Sequence, residues 1–139
     1  MERREFIRSS CTLCIAMGAG LISEGLMSCT SVAIYHATVK DHTVRIPKSI
    51  FDETTIRIVR PENLTYDIAV RRENDESYVA LLLRCTHADN PVSYDGQRFH
   101  CPLHGSSYDE HGAVTHGPAV RPLLRLRVQM SDNDIVVFL

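Results

Sequence analysis

Two short segments carry the same kinds of donor in the same order: Cys85-Thr86-His87 and, thirteen residues further on, Cys101-Pro102-Leu103-His104. Between them runs Val92-Ser93-Tyr94-Asp95-Gly96-Gln97-Arg98-Phe99, in which Asp-Gly flanked by strand-like residues is a strong hairpin signal. Closing that hairpin brings its two ends together, so the two donor loops are expected to sit side by side. Each loop offers one thiolate and one imidazole, a set that suits a metal centre. Zn²⁺ accepts a Cys₂His₂ set, but structural zinc sites favour Cys pairs spaced two to four apart, and Cys-x-His is tighter than that. One thiolate and one imidazole per loop also suit two irons bridged by sulfides, with both Cys on one iron and both His on the other.

The rest of the chain reads as strands. Val44 and Ile46 alternate with polar neighbours, as do Ile56 and Ile58 around Arg57, and Tyr66, Ile68 and Val70 form a third alternating set. Residues 79–83 are a continuous apolar run, expected as a central strand buried on both faces. Residues 124–130 alternate strictly, and Ser131-Asp132-Asn133-Asp134 then turns into a last strand at 135–139. The expectation is an antiparallel all-β domain with a C-terminal hairpin, interrupted at about 85–121 by a metal-binding insertion rich in Gly, Pro, His and Tyr. A length of 139 residues suits one domain. The net charge of −2 lacks the basic footprint by which proteins neutralise nucleic-acid phosphates, so no nucleic-acid partner is expected.

Residues 1–28 read as a targeting segment rather than fold. Arg3-Arg4-Glu5-Phe6-Ile7-Arg8 resembles a twin-arginine signal, and the apolar stretch that follows is too short for the ~20 residues of a membrane helix. Leu26-Met27-Ser28-Cys29 resembles a bacterial lipobox, which implies cleavage before Cys29 and a diacylglyceryl group on its thiol. Glu24 argues against an uncleaved membrane anchor, because a carboxylate in the apolar region costs a few kcal/mol. Of the five cysteines, Cys11 and Cys14 would leave with the signal and Cys29 would carry lipid, leaving Cys85 and Cys101. A disulfide between these two is the alternative in an oxidising compartment; their His neighbours point to metal.

From Cys85 through Tyr108-Asp109, and on to Gly112 and Gly117-Pro118-Ala119, the sequence resembles the Rieske family. The resemblance implies an all-β fold, a Rieske-type antiparallel β sandwich with a small cluster-binding subdomain, over residues 29–139. It implies one [2Fe–2S] cluster held by Cys85, His87, Cys101 and His104. By the same resemblance the Ser106 hydroxyl would donate to a bridging sulfide, the Tyr108 hydroxyl to a Cys sulfur, and Pro118 would belong to a rigid loop over the cluster. Neutral imidazoles in place of two thiolates leave the oxidised cluster near zero charge and raise its potential above plant-type ferredoxins. High-potential quinol-oxidising members carry an extra Cys in each loop, joined as a disulfide; here those places hold Asn90 and Leu103. The departure predicts an intermediate potential. The remaining histidines, among them His100, His111 and His116, are expected at the surface rather than as further ligands.

The function implied is one-electron transfer on the extracytoplasmic side of a bacterial membrane. The chain would be a membrane lipoprotein facing the periplasm or cell surface, with a protein redox partner. In the family the ligand histidines expose their outer ring edge to solvent. No second metal site, nucleotide loop or Ser-His-Asp order suggests independent catalysis, so any oxidoreductase activity would need a partner. Three settings stand open: an accessory subunit of an extracytoplasmic oxidoreductase, the Rieske subunit of a quinol-oxidising bc-type complex, or a zinc-stabilised binding module without redox duty.

Overall fold

A computed structural model describes residues 32–139; the predicted signal, Cys11, Cys14 and the lipidation position Cys29 lie outside the described residues. The first half contains β1 (Ile34–Ala37), β2 (Val39–Lys40), β3 (Thr43–Pro47), a 3-10 turn at Lys48–Phe51, β4 (Ile56–Pro61), β5 (Ile68–Asn74) and β6 (Ser77–Leu82). Then come β7 (Ser93–Tyr94), β8 (Phe99–His100), β9 (Ser107–Tyr108) and β10 (Val114–His116). The chain closes with β11 (Arg125–Leu126), β12 (Val128–Met130) and β13 (Asp134–Phe138).

Three sheets stack. A five-stranded sheet in the order β1-β4-β5-β6-β11 is the middle layer, flanked by β12-β13-β3-β2 on one face and β10-β9-β8-β7 on the other. The register explains how one sheet serves two cores. Ile58, Ala69 and Leu81 lie opposite one another across β4, β5 and β6 and pack with the cluster-side layer. The neighbouring rows, which carry Val59, Ile68, Val70 and Ala80, face the other way into the core shared with Val44, Ile46, Ile135 and Val137. Side chains of a strand alternate between faces, so a strand sandwiched by two layers must be apolar at successive positions. The 79–83 run meets that demand: Ala80 enters one core while Leu81 and Leu83 enter the other.

Most expectations for the scaffold hold, with three differences. All pairings are antiparallel except β1 with β4, which run parallel, Ile34 opposite Ile58. Tyr66 falls outside β5, whose hydrogen-bonded register begins at Ile68. The alternating stretch 124–130 is two strands rather than one. Leu126 pairs with Ala80 in the middle sheet, whereas Val128 pairs with Val137 in the outer one. The Arg127 carbonyl at the crossing accepts from the Phe138 N–H at 3.0 Å. Alternation is blind to such a switch, because it records which face a side chain takes and not which sheet supplies the partner. The C-terminal hairpin forms as expected, with Ser131 N–H donating to Asp134 O at 2.9 Å.

The cluster-side layer is pinned at its turn. Gly112 has φ +85°, and a Cβ there would lie 3.2 Å from both Leu81 methyls and 3.3 Å from Leu123 Cβ. Its carbonyl accepts the Leu123 N–H at 2.9 Å. Only a residue without a side chain lets this turn come so close to the middle sheet.

Candidate metal centre

The four predicted donors ride on two loops closed by the same pair of backbone hydrogen bonds. Cys85 N–H donates to Asn90 O at 2.8 Å, and Asp89 N–H returns to Cys85 O at 2.9 Å. In the second loop Cys101 N–H donates to Ser106 O at 2.8 Å, and Gly105 N–H returns to Cys101 O at 3.0 Å. Both loops turn through a left-handed residue at the matching place, Asp89 at φ 53° and Gly105 at φ 81°. Glycine takes that conformation freely; aspartate tolerates it at some cost. Asp89 is held there by the Tyr66 hydroxyl, which donates to its carbonyl at 2.6 Å, and by Arg84, 3.4 Å from its carboxylate.

The hairpin between the loops is real. Ser93 pairs with His100 and Tyr94 with Phe99, and the connection spans Asp95 to Arg98. The Asp95 carboxylate accepts the N–H groups of Gln97 and Arg98, each at 2.9 Å, and Gly96 takes φ +99°. At the open end, Arg84 bridges to Pro91 and Val92 N–H donates to Leu83 O at 3.0 Å. The ladder thus fixes where each Cys leaves its strand.

Thiols and imidazoles separate by environment. Cys85 and Cys101 are fully buried and not joined to each other, part of an apolar cluster with Phe99, Tyr108, Ala119 and Leu123. His87 and His104 are exposed, their ring centroids 5.0 Å apart at an interplanar angle of 87°. Among the described residues no three His, Cys, Asp or Glu side chains converge as a single ion requires. A tetrahedral zinc needs all four donors within about 2.3 Å of one point. A buried sulfur pair and an outward nitrogen pair suit a two-iron cluster, in which the irons carry different ligands.

Hydrogen bonding around the sulfurs agrees. Burial raises the Cys85 thiol pKa, but hydrogen bonds from the Tyr108 hydroxyl, the His87 N–H, the Cys101 thiol and the Ala88 N–H outweigh it and leave the thiol below its ordinary value. A lowered pKa favours the thiolate, the form that binds metal. The Tyr108 hydroxyl stands 3.4 Å from Cys85 Sγ and 3.2 Å from both Thr86 N and Thr86 Oγ1. Thr86 Oγ1 gives its own proton to Arg121 O at 2.6 Å. The phenol therefore accepts from the Thr86 N–H and keeps its proton for Cys85 or for Thr86 Oγ1. Burial, followed by the Cys85 contact, raises the Tyr108 pKa, so the donor is retained at neutral pH.

Ser106 is the one buried polar residue of the described core. Its Oγ accepts the Ala119 N–H at 3.1 Å, and its proton has no protein acceptor among the described residues. Its hydroxyl proton would be free to go to a cluster sulfide, as the resemblance implies. The same bond fastens the Gly117-Pro118-Ala119 loop, whose Gly117-Pro118 peptide is cis, to the second donor loop.

Asn90 and Leu103 occupy the positions where a disulfide is missing. Asn90 pins its loop with its side-chain amide, Nδ2 donating to Ala88 O at 2.8 Å, while Leu103 is 61% exposed. His111 and His116 are exposed, as expected. His100 is not a surface residue: it is half-buried, and its Nδ1 is buried without a partner among the described residues. It alternates with the buried Phe99 in β8 and turns toward a cavity bordered by Pro102, Gly105 and His116. Sequence reasoning missed Thr86, which ties the first loop to both Tyr108 and Arg121. Its place between Cys85 and His87 was the available signal, since its backbone has to follow both neighbours.

A family model described as the Rieske [2Fe–2S] domain matches residues 42–138. The cytochrome b6-f complex iron-sulfur subunit 2 of Nostoc sp. (strain PCC 7120 / SAG 25.82 / UTEX 2576) is 40% identical over 73 residues, covering 49% of this chain and 39% of that protein. The corresponding subunit of Microcystis aeruginosa (strain NIES-843 / IAM M-2473) is 41% identical over 56 residues, 39% of this chain and 31% of that one. The matched stretch spans about two fifths or less of these curated relatives. Among solved structures, the cyanobacterial plasma membrane Rieske protein PetC3 from Synechocystis PCC 6803 aligns with a TM-score of 0.52 at 26% identity, over 66% of this chain and 93% of that one. A chain of a hyperthermophilic respiratory Complex III aligns over 95% of this chain and 94% of its own, with a TM-score of 0.53 at 18% identity, a likeness of fold.

Proposed function

Because this chain belongs to the Rieske [2Fe–2S] family and carries one Rieske-type cluster, we propose that it is an electron-transfer protein on the extracytoplasmic face of a bacterial membrane, an accessory subunit of an oxidoreductase. Cys85 and Cys101 would hold one iron, and His87 and His104 the other. When bound, the cluster supplies a one-electron couple. The chain's own residues bury the two thiols and leave the two imidazoles exposed; Tyr108 and Ser106 would donate hydrogen bonds to the sulfur side, and a partner would approach from the imidazole side. The observation that carries this reading is the contrast between two fully buried thiols and two exposed imidazoles 5.0 Å apart.

The membrane address rests on the twin-arginine-like segment and the lipobox-like Leu26-Met27-Ser28-Cys29. Residues 1–28 would be removed and Cys29 would carry a diacylglyceryl group, which gives the two-chain anchoring a single acyl chain lacks. The twin-arginine route suits a protein that must fold around its cofactor before export.

A second reading has a specific observation behind it. The curated relatives named above are subunits of cytochrome b6-f complexes, so this chain would serve a quinol-oxidising complex. The absence of Cys at Asn90 and Leu103 favours the accessory role. EPR of the dithionite-reduced protein, followed by a redox titration, tests the proposal. A mixed-valence two-iron signal with histidine nitrogen coupling and a potential between plant-type ferredoxins and quinol-oxidising Rieske proteins is expected. A zinc-loaded, EPR-silent protein sinks the electron-transfer reading, and a potential in the quinol-oxidising range moves the chain to the second one.

A further inference from the structure

We propose that a basic groove beside the first donor loop docks an acidic segment of the protein that exchanges electrons with this one; the proposal rests on the electron-transfer reading above. The groove encloses about 530 Å³, and its lining includes Arg84, Thr86, Asp89, Arg121, Leu124 and Arg125. Three guanidinium groups thus meet one carboxylate, in a chain whose net charge is −2.

That carboxylate is already engaged. Asp89 lies 3.4 Å from Arg84, which is also held over the Tyr66 ring at 5.9 Å from its centroid. Among the described residues, no carboxylate comes within ion-pair distance of Arg121 or Arg125. Leu124, between them in sequence, is 51% exposed and gives the groove an apolar patch. Arginine beside exposed apolar surface is the composition of a protein interface rather than of a closed ion site.

Position makes the groove useful. Thr86 forms part of its wall, stands between Cys85 and His87, and donates to Arg121 O at 2.6 Å. A partner carboxylate paired with Arg121 and Arg125 therefore rests against the segment that bears one thiol and one imidazole. Electron-transfer encounters are small and brief, and complementary charge raises their on-rates more than their affinity. Two uncompensated arginines next to the cluster loop meet that requirement.

The test uses the whole protein as purified and a fluorescently labelled hexaglutamate peptide, followed by anisotropy at low ionic strength. Arg121→Gln/Arg125→Gln is compared with Lys40→Gln/Arg45→Gln, which alters exposed cations on the far sheet. The proposal expects the first pair to weaken peptide binding about tenfold or more, the second to leave it unchanged, and added salt to weaken it in the unaltered protein. Equal binding by both variants overturns it. So does tighter binding of inorganic phosphate than of peptide at the same arginines, since that outcome marks a site for a free oxyanion. EPR on the same samples separates the two levels of inference. A normal cluster signal without arginine-dependent peptide binding overturns the docking surface alone. Arginine-dependent binding by a protein with no cluster signal overturns the electron-transfer reading.

Discussion

The Tyr108 hydroxyl lies 3.4 Å from Cys85 Sγ while accepting the Thr86 N–H at 3.2 Å, so one side chain serves both a donor sulfur and the backbone of its loop. A hydrogen bond to sulfur favours the more negatively charged, reduced state of a cluster. Tyr108→Phe is therefore expected to lower the reduction potential by roughly 40 mV, the one-electron equivalent of about 1 kcal/mol. It should also cost ~1–3 kcal/mol of stability, because the Thr86 N–H loses its acceptor. Protein-film voltammetry reads the first effect and thermal unfolding the second. An unchanged potential would show that the phenol proton goes to Thr86 Oγ1 instead.

Ser106→Ala should lower the potential in the same direction. It also leaves the Ala119 N–H, now satisfied at 3.1 Å, without its partner in the core. The expected cost is about 1–3 kcal/mol, with hydrogen exchange of the Ala119 amide faster than in the unaltered protein. Ser106→Thr, which keeps the hydroxyl, should restore the potential more fully than the stability, because the extra methyl enters a fully buried position.

Gly112→Ala places a Cβ 3.2 Å from the Leu81 methyls at a φ of +85°. Steric crowding and left-handed strain act together, and a loss of about 1–3 kcal/mol is expected. The cluster-side layer should loosen more than the outer sheet. Amide exchange that accelerates in β9 and β10 but not in β13 would confirm this; uniform acceleration would refute it.

Asp95 sets a pH dependence away from the cluster. Hydrogen bonds from the Arg98 and Gln97 backbone hold its carboxyl below the ordinary carboxylate range. A pKa depressed by folding contributes stability above the unfolded-state value, and the contribution disappears as pH falls through the folded-state value. Asp95→Asn keeps an acceptor for both N–H groups but removes the charge. The difference in stability between the two proteins should therefore be present at neutral pH and vanish in acid. Parallel pH–stability curves from urea unfolding would contradict the assignment.

Much of this molecule was legible in local pattern. Period-two alternation marked β3, β4 and β5, the turn at 131–134 marked β13, the 79–83 run marked a strand with two buried faces, and Asp95-Gly96 marked the hairpin between the donor loops. The spacing of Cys85, His87, Cys101 and His104 marked them as candidate donors on two neighbouring loops. Such features depend on short-range sterics and on the chemistry of individual side chains, so a sequence carries them openly.

Tertiary structure alone decided the rest. It paired β1 parallel with β4 and divided the 124–130 stretch between two sheets, choices set by competing long-range partners that leave no periodic trace. It gave the two donor loops the same closure, and it set Tyr108 and Ser106 against groups remote in sequence, Cys85 from Tyr108 and Ala119 from Ser106. It also gathered Arg84, Arg121 and Arg125 into one groove, because a five-stranded sheet brings β6 and β11 side by side. Sequence determined which atoms could hold a cluster. Packing determined that the sulfurs would be buried and the imidazoles exposed, since burial depends on what the remainder of the chain covers.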